Sequence, residues 1–294
     1  MTLLRKVFFR RRNQLQSESR VLELLGPSLR ERVVSIKPLN ASRNNSFIIR
    51  TDEETFKAFF CRSRAEANQV GRLLKVLGPK GVGITPGVLV HHGELLVSPW
   101  IEGRLLSDFP GGERELHLLD LLTKLHRATA PLSGLELDRC LAGSPYIVRL
   151  RERLLGASVW LGRRRVLELE KELAELEPLE IFPSILHVDL TVDNVVITPE
   201  GDGLIIDNEA LSVGNGRGFD VWHAAESLFS LRRVDRILVF VEKYDDLVPG
   251  STALSYGNYW HGVCWAKKSL KALESGQLYK ARKAIKKARA LIVS

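Results

Sequence analysis

Between Leu186 and Ala210 the chain reads LHVDLTVDNVVITPEGDGLIIDNEA, which gathers Asp189, Asp193, Asn194, Asp207 and Glu209 around two apolar runs. The runs NVVIT (194–198) and GLIIDN (203–208) are strand-like, and the residues between them, PEG and Asp202 leading into Gly203, read as a tight turn. A hairpin turning near Gly201 returns residues 194–197 beside 204–207, so Asn194 and Asp207 converge at one end of it. Asp189 lies five residues before Asn194, in the loop that enters the first strand. Carboxylates forced together raise one another's pKa unless a cation neutralises them. Magnesium suits such a group, because it takes hard oxygen ligands and is completed by waters and substrate phosphates.

The elements that must position these residues follow from periodicity. Residues 14–25 read as a helix ended by Gly26-Pro27. Residues 33–39, 45–51 and 55–60 are short β-rich runs separated by polar turns. Residues 63–77 carry Ala67, Val70, Leu73, Leu74 and Leu77 at a helical period, and two further strands are expected at 87–92 and 94–100. Beyond Gly103 the texture is helical: 113–129, 144–161, 164–178, 218–231, 234–244, and a long basic helix region from about Tyr256 to the end. The expectation is an α+β molecule of two lobes. Residues 1–102 form a small β-rich lobe preceded by a basic N-terminal helix, and 103–294 form a larger, mainly helical lobe that carries the acidic hairpin.

HVDLTVDN followed by IIDNE resembles the catalytic core of the aminoglycoside phosphotransferase and choline kinase family, whose pattern is H-G-D-x-x-x-x-N and then I-D-[WF]-E after a hairpin. The resemblance extends over about residues 35 to 270. It implies a protein-kinase-like fold and an ATP-dependent phosphotransferase with Mg2+. It assigns Asp189 as the catalytic residue that orients a substrate hydroxyl and accepts its proton, and Asn194 and Asp207 as magnesium ligands. His187 matches a structural loop histidine, and Asp220 a helix N-cap that braces the catalytic loop. Lys57, in the strand TFKAFF, matches the lysine that holds the α- and β-phosphates, and Glu66 the acid that pairs with it. LLVSPWIEG matches the hinge, where the Pro99 carbonyl and the Ile101 N–H would bond adenine. Leu125 and His126 match a helix signature behind the site. Ser42, with Asn44 and Asn45, would supply donors in the phosphate-covering turn.

Alone, each residue has an ordinary reading: Lys57 as a solvated amine, Glu66 as a helix N-terminal acid, His126 as a core histidine. Order and spacing together carry the assignment. The chain also departs from the pattern. Val188 stands where the family has glycine, Asn208 where it has an aromatic residue, and residues 39–47 contain no glycine. A branched residue restricts the loop, and a glycine-free turn makes close backbone approach to phosphates harder. The alternative is therefore a catalytically weak or inactive pseudokinase-type module that binds a nucleotide or a partner.

Composition sets the remaining bounds. A chain of 294 residues that is 45% hydrophobic and 27% charged is that of a soluble globular protein. No apolar run reaches membrane-spanning length, and the basic start, MTLLRKVFFRRRNQ, lacks the core of a secretory signal. A cytoplasmic location is expected, with Cys61, Cys140 and Cys264 as reduced thiols in no metal-binding spacing. The net charge of +8 concentrates at both ends, and Lys267 to Arg289 holds nine Lys/Arg against one acid, Glu274. Such termini suit peripheral contact with an anionic membrane at its inner face. Nucleic acid is not expected as a partner. The same charge disfavours a polycationic acceptor and favours a neutral or anionic small molecule, or a lipid-linked sugar.

Overall fold

The computed structural model describes residues 18–39, 46–128, 146–178, 184–214, 216–229 and 233–292. These residues are mixed α and β, as expected, and fall into two compact units. One draws on 13–142 and 192–212, the other on 143–191 and 213–294.

The first unit opens with helix α1, Glu18–Leu24. Five antiparallel strands form one sheet: β1 Val33–Pro38, β2 Ser46–Thr51, β3 Thr55–Phe60, β4 Val90–His92 and β5 Leu95–Pro99, in the order β1-β2-β3-β5-β4. Alternation along β3 sends Phe56, Ala58 and Phe60 into a core with Phe47, Ile49, Leu95 and Val97, capped by Val21 and Leu25. Lys57 therefore lies on the opposite face, in register with Ile48 of β2 and Ser98 of β5. Helix α2, Arg64–Leu77, buries Ala67, Val70, Leu73, Leu74 and Leu77, the stripe read from its period. The Ser63 hydroxyl accepts from the Glu66 N–H at 3.2 Å, and the Glu66 carboxylate accepts from the Arg62 N–H at 2.6 Å, so both side chains cap the helix.

Strand β6, Arg104–Leu105, and helix α3, Gly111–Arg127, complete the contiguous part of this unit. Gly103, at φ +155°, has no room for a side chain: a Cβ there would lie 2.2 Å from the Ile197 carbonyl. That close approach lets Arg104 pair with Ile197.

The second unit contributes α4 Tyr146–Gly156, α5 Arg163–Leu176 and β7 Ser184–His187. The chain then returns to the first unit for the expected hairpin, β8 Val195–Ile197 and β9 Gly203–Ile205, with Gly201 at φ +94° in its turn. Four helices of the second unit follow: α6 Arg217–Phe229, α7 Val234–Leu247, α8 Gly257–Glu274 and α9 Leu278–Ile292.

The basic helix region expected from Tyr256 consists of two helices. The Gln277 N–H bonds the Ala272 carbonyl at 2.9 Å and the Gly276 N–H bonds the Leu273 carbonyl at 2.9 Å, with Gly276 at φ +74°. This left-handed C-terminal motif stops α8 and turns the chain back.

Helices α6 and α8 meet closely through two reciprocal glycine–tryptophan contacts. A Cβ on Gly218 would lie 2.2 Å from Trp260 Nε1, and one on Gly257 would lie 2.9 Å from Trp222 Cζ2. Gly218→Ala gains helix propensity but forces the buried indole to move. We expect a net loss of about 1–2 kcal/mol, read as a lower denaturant midpoint at unchanged slope.

Candidate functional site

In the first unit the hairpin does what its turn demands. Val195 pairs with Ile205, and the Ile206 N–H continues the ladder to the Asn194 carbonyl at 3.0 Å. Asn194 and the start of the Ile206-Asp207 segment therefore stand side by side. Lys57 reaches the same place from β3. Its ammonium donates to Asp207 Oδ1 at 2.8 Å, to the Ile206 carbonyl at 3.1 Å and to Glu209 Oε2 at 3.4 Å. Glu209 also accepts from the Ser46 hydroxyl at 2.8 Å.

Burial orders the electrostatics of this cluster. The Lys57 side chain is 12% exposed and Asp207 43%. Burial works against the Lys57 ammonium, but the charges of Glu209 and Asp207 outweigh it and hold its pKa above the ordinary value. Burial lifts the Glu209 carboxyl to about 7 against the pull of Lys57, and Asp207 beside it adds to the rise. The half-exposed Asp207 carboxylate and the partly exposed Glu209 carboxylate, beside the Asn194 backbone, form an oxygen-rich corner that already holds one cation, the ammonium. These donors fit magnesium, which tolerates a few protein ligands completed by water and phosphate.

Glu66 is not part of this corner. The expected Lys57–Glu66 pair is replaced by Lys57 with Asp207 and Glu209, because the Glu66 carboxylate is committed to its helix cap and two nearer carboxylates take the lysine. Pro99 ends β5 opposite Phe56, and Ile101 lies just beyond Trp100, whose N–H bonds the Thr55 carbonyl at 2.9 Å. His126 is buried in α3. Ser42, Asn44 and Asn45 lie outside the described residues, as does Cys140; Cys61 and Cys264 are buried free thiols.

Asp189 belongs to the second unit and has its own surroundings. Lys267 of α8 donates to Asp189 Oδ1 at 2.8 Å and to the Val188 carbonyl at 2.6 Å, and stands 2.9 Å from His223 Nε2. His223 Nε2 is 3.3 Å from Asp189 Oδ1. Burial would raise the Asp189 carboxyl, but the Lys267 ammonium beside it outweighs this and holds it well below the usual carboxylate range. Burial lowers His223, and although Asp189 pulls the other way it remains below its ordinary value. Asp220 is fully buried and accepts the His187 N–H at 2.6 Å, so it braces the segment before the loop. It is not the helix N-cap expected for it: it is the fourth residue of α6, and its side chain is spent on that N–H.

Sequence reasoning missed Lys267, His223 and Ser46, and it gave Glu209 no chemistry. Lys267 and His223 are 78 and 34 residues from Asp189 and carry no local signal toward it.

Solved structures share this fold at low sequence identity. The choline kinase LicA from Streptococcus pneumoniae superposes with a TM-score of 0.63 at 17% identity, over 89% of this chain and 94% of that one, and has also been solved with AMP. An ethanolamine kinase from Plasmodium vivax gives a TM-score of 0.63 at 11% identity, over 98% and 93%. A thermostable aminoglycoside phosphotransferase APH(4)-Ia, solved as a ternary complex with ADP and hygromycin B, gives 0.58 at 14% identity, over 88% and 94%. These likenesses bear out the expected protein-kinase-like architecture. No curated protein shows significant sequence similarity to the chain. Residues 35–251 match the family described as the phosphotransferase enzyme family. With most of its length inside that match, the chain belongs to the phosphotransferase enzyme family.

Proposed function

We propose that this phosphotransferase is an ATP-dependent kinase that moves the γ-phosphoryl group to a hydroxyl of a small molecule or glycolipid. The observation that carries the reading is the Lys57 ammonium held 2.8 Å from Asp207 and 3.4 Å from Glu209, beside Asn194. In the reaction the acceptor oxygen bonds to the γ-phosphorus, the bond to the bridging oxygen breaks, ADP leaves, and the hydroxyl proton goes to Asp189. Lys57 would turn from its carboxylates to the α- and β-phosphate oxygens. Asp207 and Asn194 would hold Mg2+, which neutralises charge on the phosphate oxygens. Pro99 and Ile101 would supply backbone contacts to adenine, and Ser42 a donor over the phosphates.

The test is a Mg-ATP transfer screen over sugars, amino alcohols and glycolipids, with Asp189→Asn as the blank. Transfer seen with the wild type and absent from the blank supports the reading. Nucleotide binding with neither transfer nor Mg-ATP hydrolysis would leave a binding module, the reading that Val188 and the glycine-free turn favour.

The acceptor we propose is neutral or anionic. The ammonium of Lys267, 2.8 Å from Asp189, would meet the charge of a choline or aminoglycoside brought to that carboxylate. Exposed Lys271, Lys280, Lys283 and Lys286 add positive charge on the last two helices and suit a lipid-linked sugar at an anionic surface. Choline, ethanolamine and hygromycin B are expected to give no transfer above the blank in the screen. Saturable transfer to any of them would overturn this acceptor class.

A further inference from the structure

A lysine ammonium has three hydrogens, set tetrahedrally, and no acceptor. At Lys267 three acceptors stand around it: the Val188 carbonyl at 2.6 Å, Asp189 Oδ1 at 2.8 Å and His223 Nε2 at 2.9 Å. The third contact is a hydrogen bond only if His223 is neutral with its proton on Nδ1. Burial keeps the imidazole below its ordinary pKa, which supplies the neutral form. Nδ1 faces Glu226 Oε2 of the same helix at 4.0 Å. The Nε2 lone pair is then committed to Lys267, and the 3.3 Å approach of Nε2 to Asp189 is a contact between two acceptors brought together by the ammonium they share.

We infer that Lys267 is a positioning residue for the reaction. It ties the backbone of Val188 and the carboxylate of Asp189 to helix α8 and fixes the rotamer from which Asp189 meets the acceptor hydroxyl. The inference rests on the proposed role of Asp189. It also gives a physical account of Val188. Glycine at that position would leave the loop free to take several conformations, whereas here the Val188 carbonyl is anchored by a charged donor and its side chain is buried. Lys267 has no hydrogen left for a substrate anion, so its part is to hold the carboxylate rather than to bind a ligand.

The charged and titratable groups facing this cluster come from three helices and the loop. They are Tyr146 of α4; Asp220, His223 and Glu226 of α6; Cys264, Lys267 and Lys268 of α8; and Asp189 itself. Burial pushes Glu226 up to about 7, so a pH profile alone mixes its titration with that of His223, and the experiment reads His223 directly.

The test uses the full chain, Lys267→Met and Lys267→Arg, with Mg-ATP hydrolysis as the activity probe and Asp189→Asn as the reference. Lys267→Met is expected to lower kcat about ten- to a hundredfold, the cost of a misplaced reactive group, with KM for Mg-ATP held because Lys57 and Asp207 are untouched. Its acid limb should move up toward the usual carboxylate value of about 4. Lys267→Arg keeps the charge but not the tripod, so it should restore the acid limb and only part of kcat. Imidazole NMR on nucleotide-free protein gives a readout apart from catalysis. Wild-type His223 should be the Nδ1–H tautomer at neutral pH, and its titration should move up in Lys267→Met, where the nearby positive charge is gone. Wild-type kcat and an unmoved His223 titration in Lys267→Met, with Asp189→Asn inactive, would overturn the inference alone. An active Asp189→Asn would overturn the role of Asp189 and the inference with it. Should Lys267→Met fail to fold, the Lys267→Arg profile and tautomer decide.

Discussion

Asp189→Asn is expected to lower Mg-ATP-dependent transfer and hydrolysis about a hundred- to ten-thousandfold, the range for loss of a positioned proton acceptor. The substitution keeps the side-chain volume and removes the property that matters. An amide nitrogen cannot accept a proton, and an amide oxygen is a weak base. Lys267 also loses its counter-charge, and an NH2 group turned toward an ammonium leaves both donors unpaired. Asp189 is 42% exposed, so the fold tolerates the change better than it would at a sealed site. Nucleotide affinity should hold, since Lys57, Asp207 and Glu209 are unchanged. Single-turnover rates and nucleotide displacement, measured on one preparation, separate the two effects. A variant that binds nucleotide and keeps most of the wild-type rate would remove Asp189 from the chemistry.

The contrast between what was legible in the sequence and what was not follows the range of each interaction. The strand carrying Lys57 was legible because a two-residue period in TFKAFF separates Phe56, Ala58 and Phe60 from Lys57 without reference to the rest of the chain. The β8–β9 hairpin was legible because Gly201 and Asp202 fix its turn, and the turn fixes the register that brings Asn194 to Ile206. The break between α8 and α9 lies at Ser275-Gly276, inside a run whose most visible feature in the sequence is its basic charge. The capping pair Ser63 and Glu66 is also local, and its three-residue spacing is the signature of a helix start that occupies the Glu66 carboxylate. The setting of Asp189 had no such signature. Lys267 and His223 reach it only because α6 and α8 cross at Gly218–Trp260 and Gly257–Trp222, and that packing depends on tertiary structure. Local patterns placed the groups; long-range packing decided their protonation and their partners.

Lys57→Met should lower kcat/KM for Mg-ATP about a hundred- to thousandfold, as loss of one electrostatic contact to a charged transition state does. Two effects act in the same direction. The phosphate oxygens lose a cation, and Asp207 and Glu209 lose the charge that lets two carboxylates lie side by side in a partly buried corner. With no ammonium between them, Glu209 rises further above its present value near 7 and stays protonated at neutral pH, which weakens the corner as a seat for a second cation. Glu66→Ala is the informative comparison. If Glu66 served as the partner of Lys57, its loss would reproduce much of the Lys57→Met defect. In this structure it caps α2, so the expected cost is about 1 kcal/mol of stability with turnover near wild type. Steady-state kinetics and urea unfolding on both variants separate the cases. A Glu66→Ala enzyme as impaired as Lys57→Met but equally stable would show that the lysine changes partners during turnover, with the carboxylates of Asp207 and Glu209 holding it only between reactions.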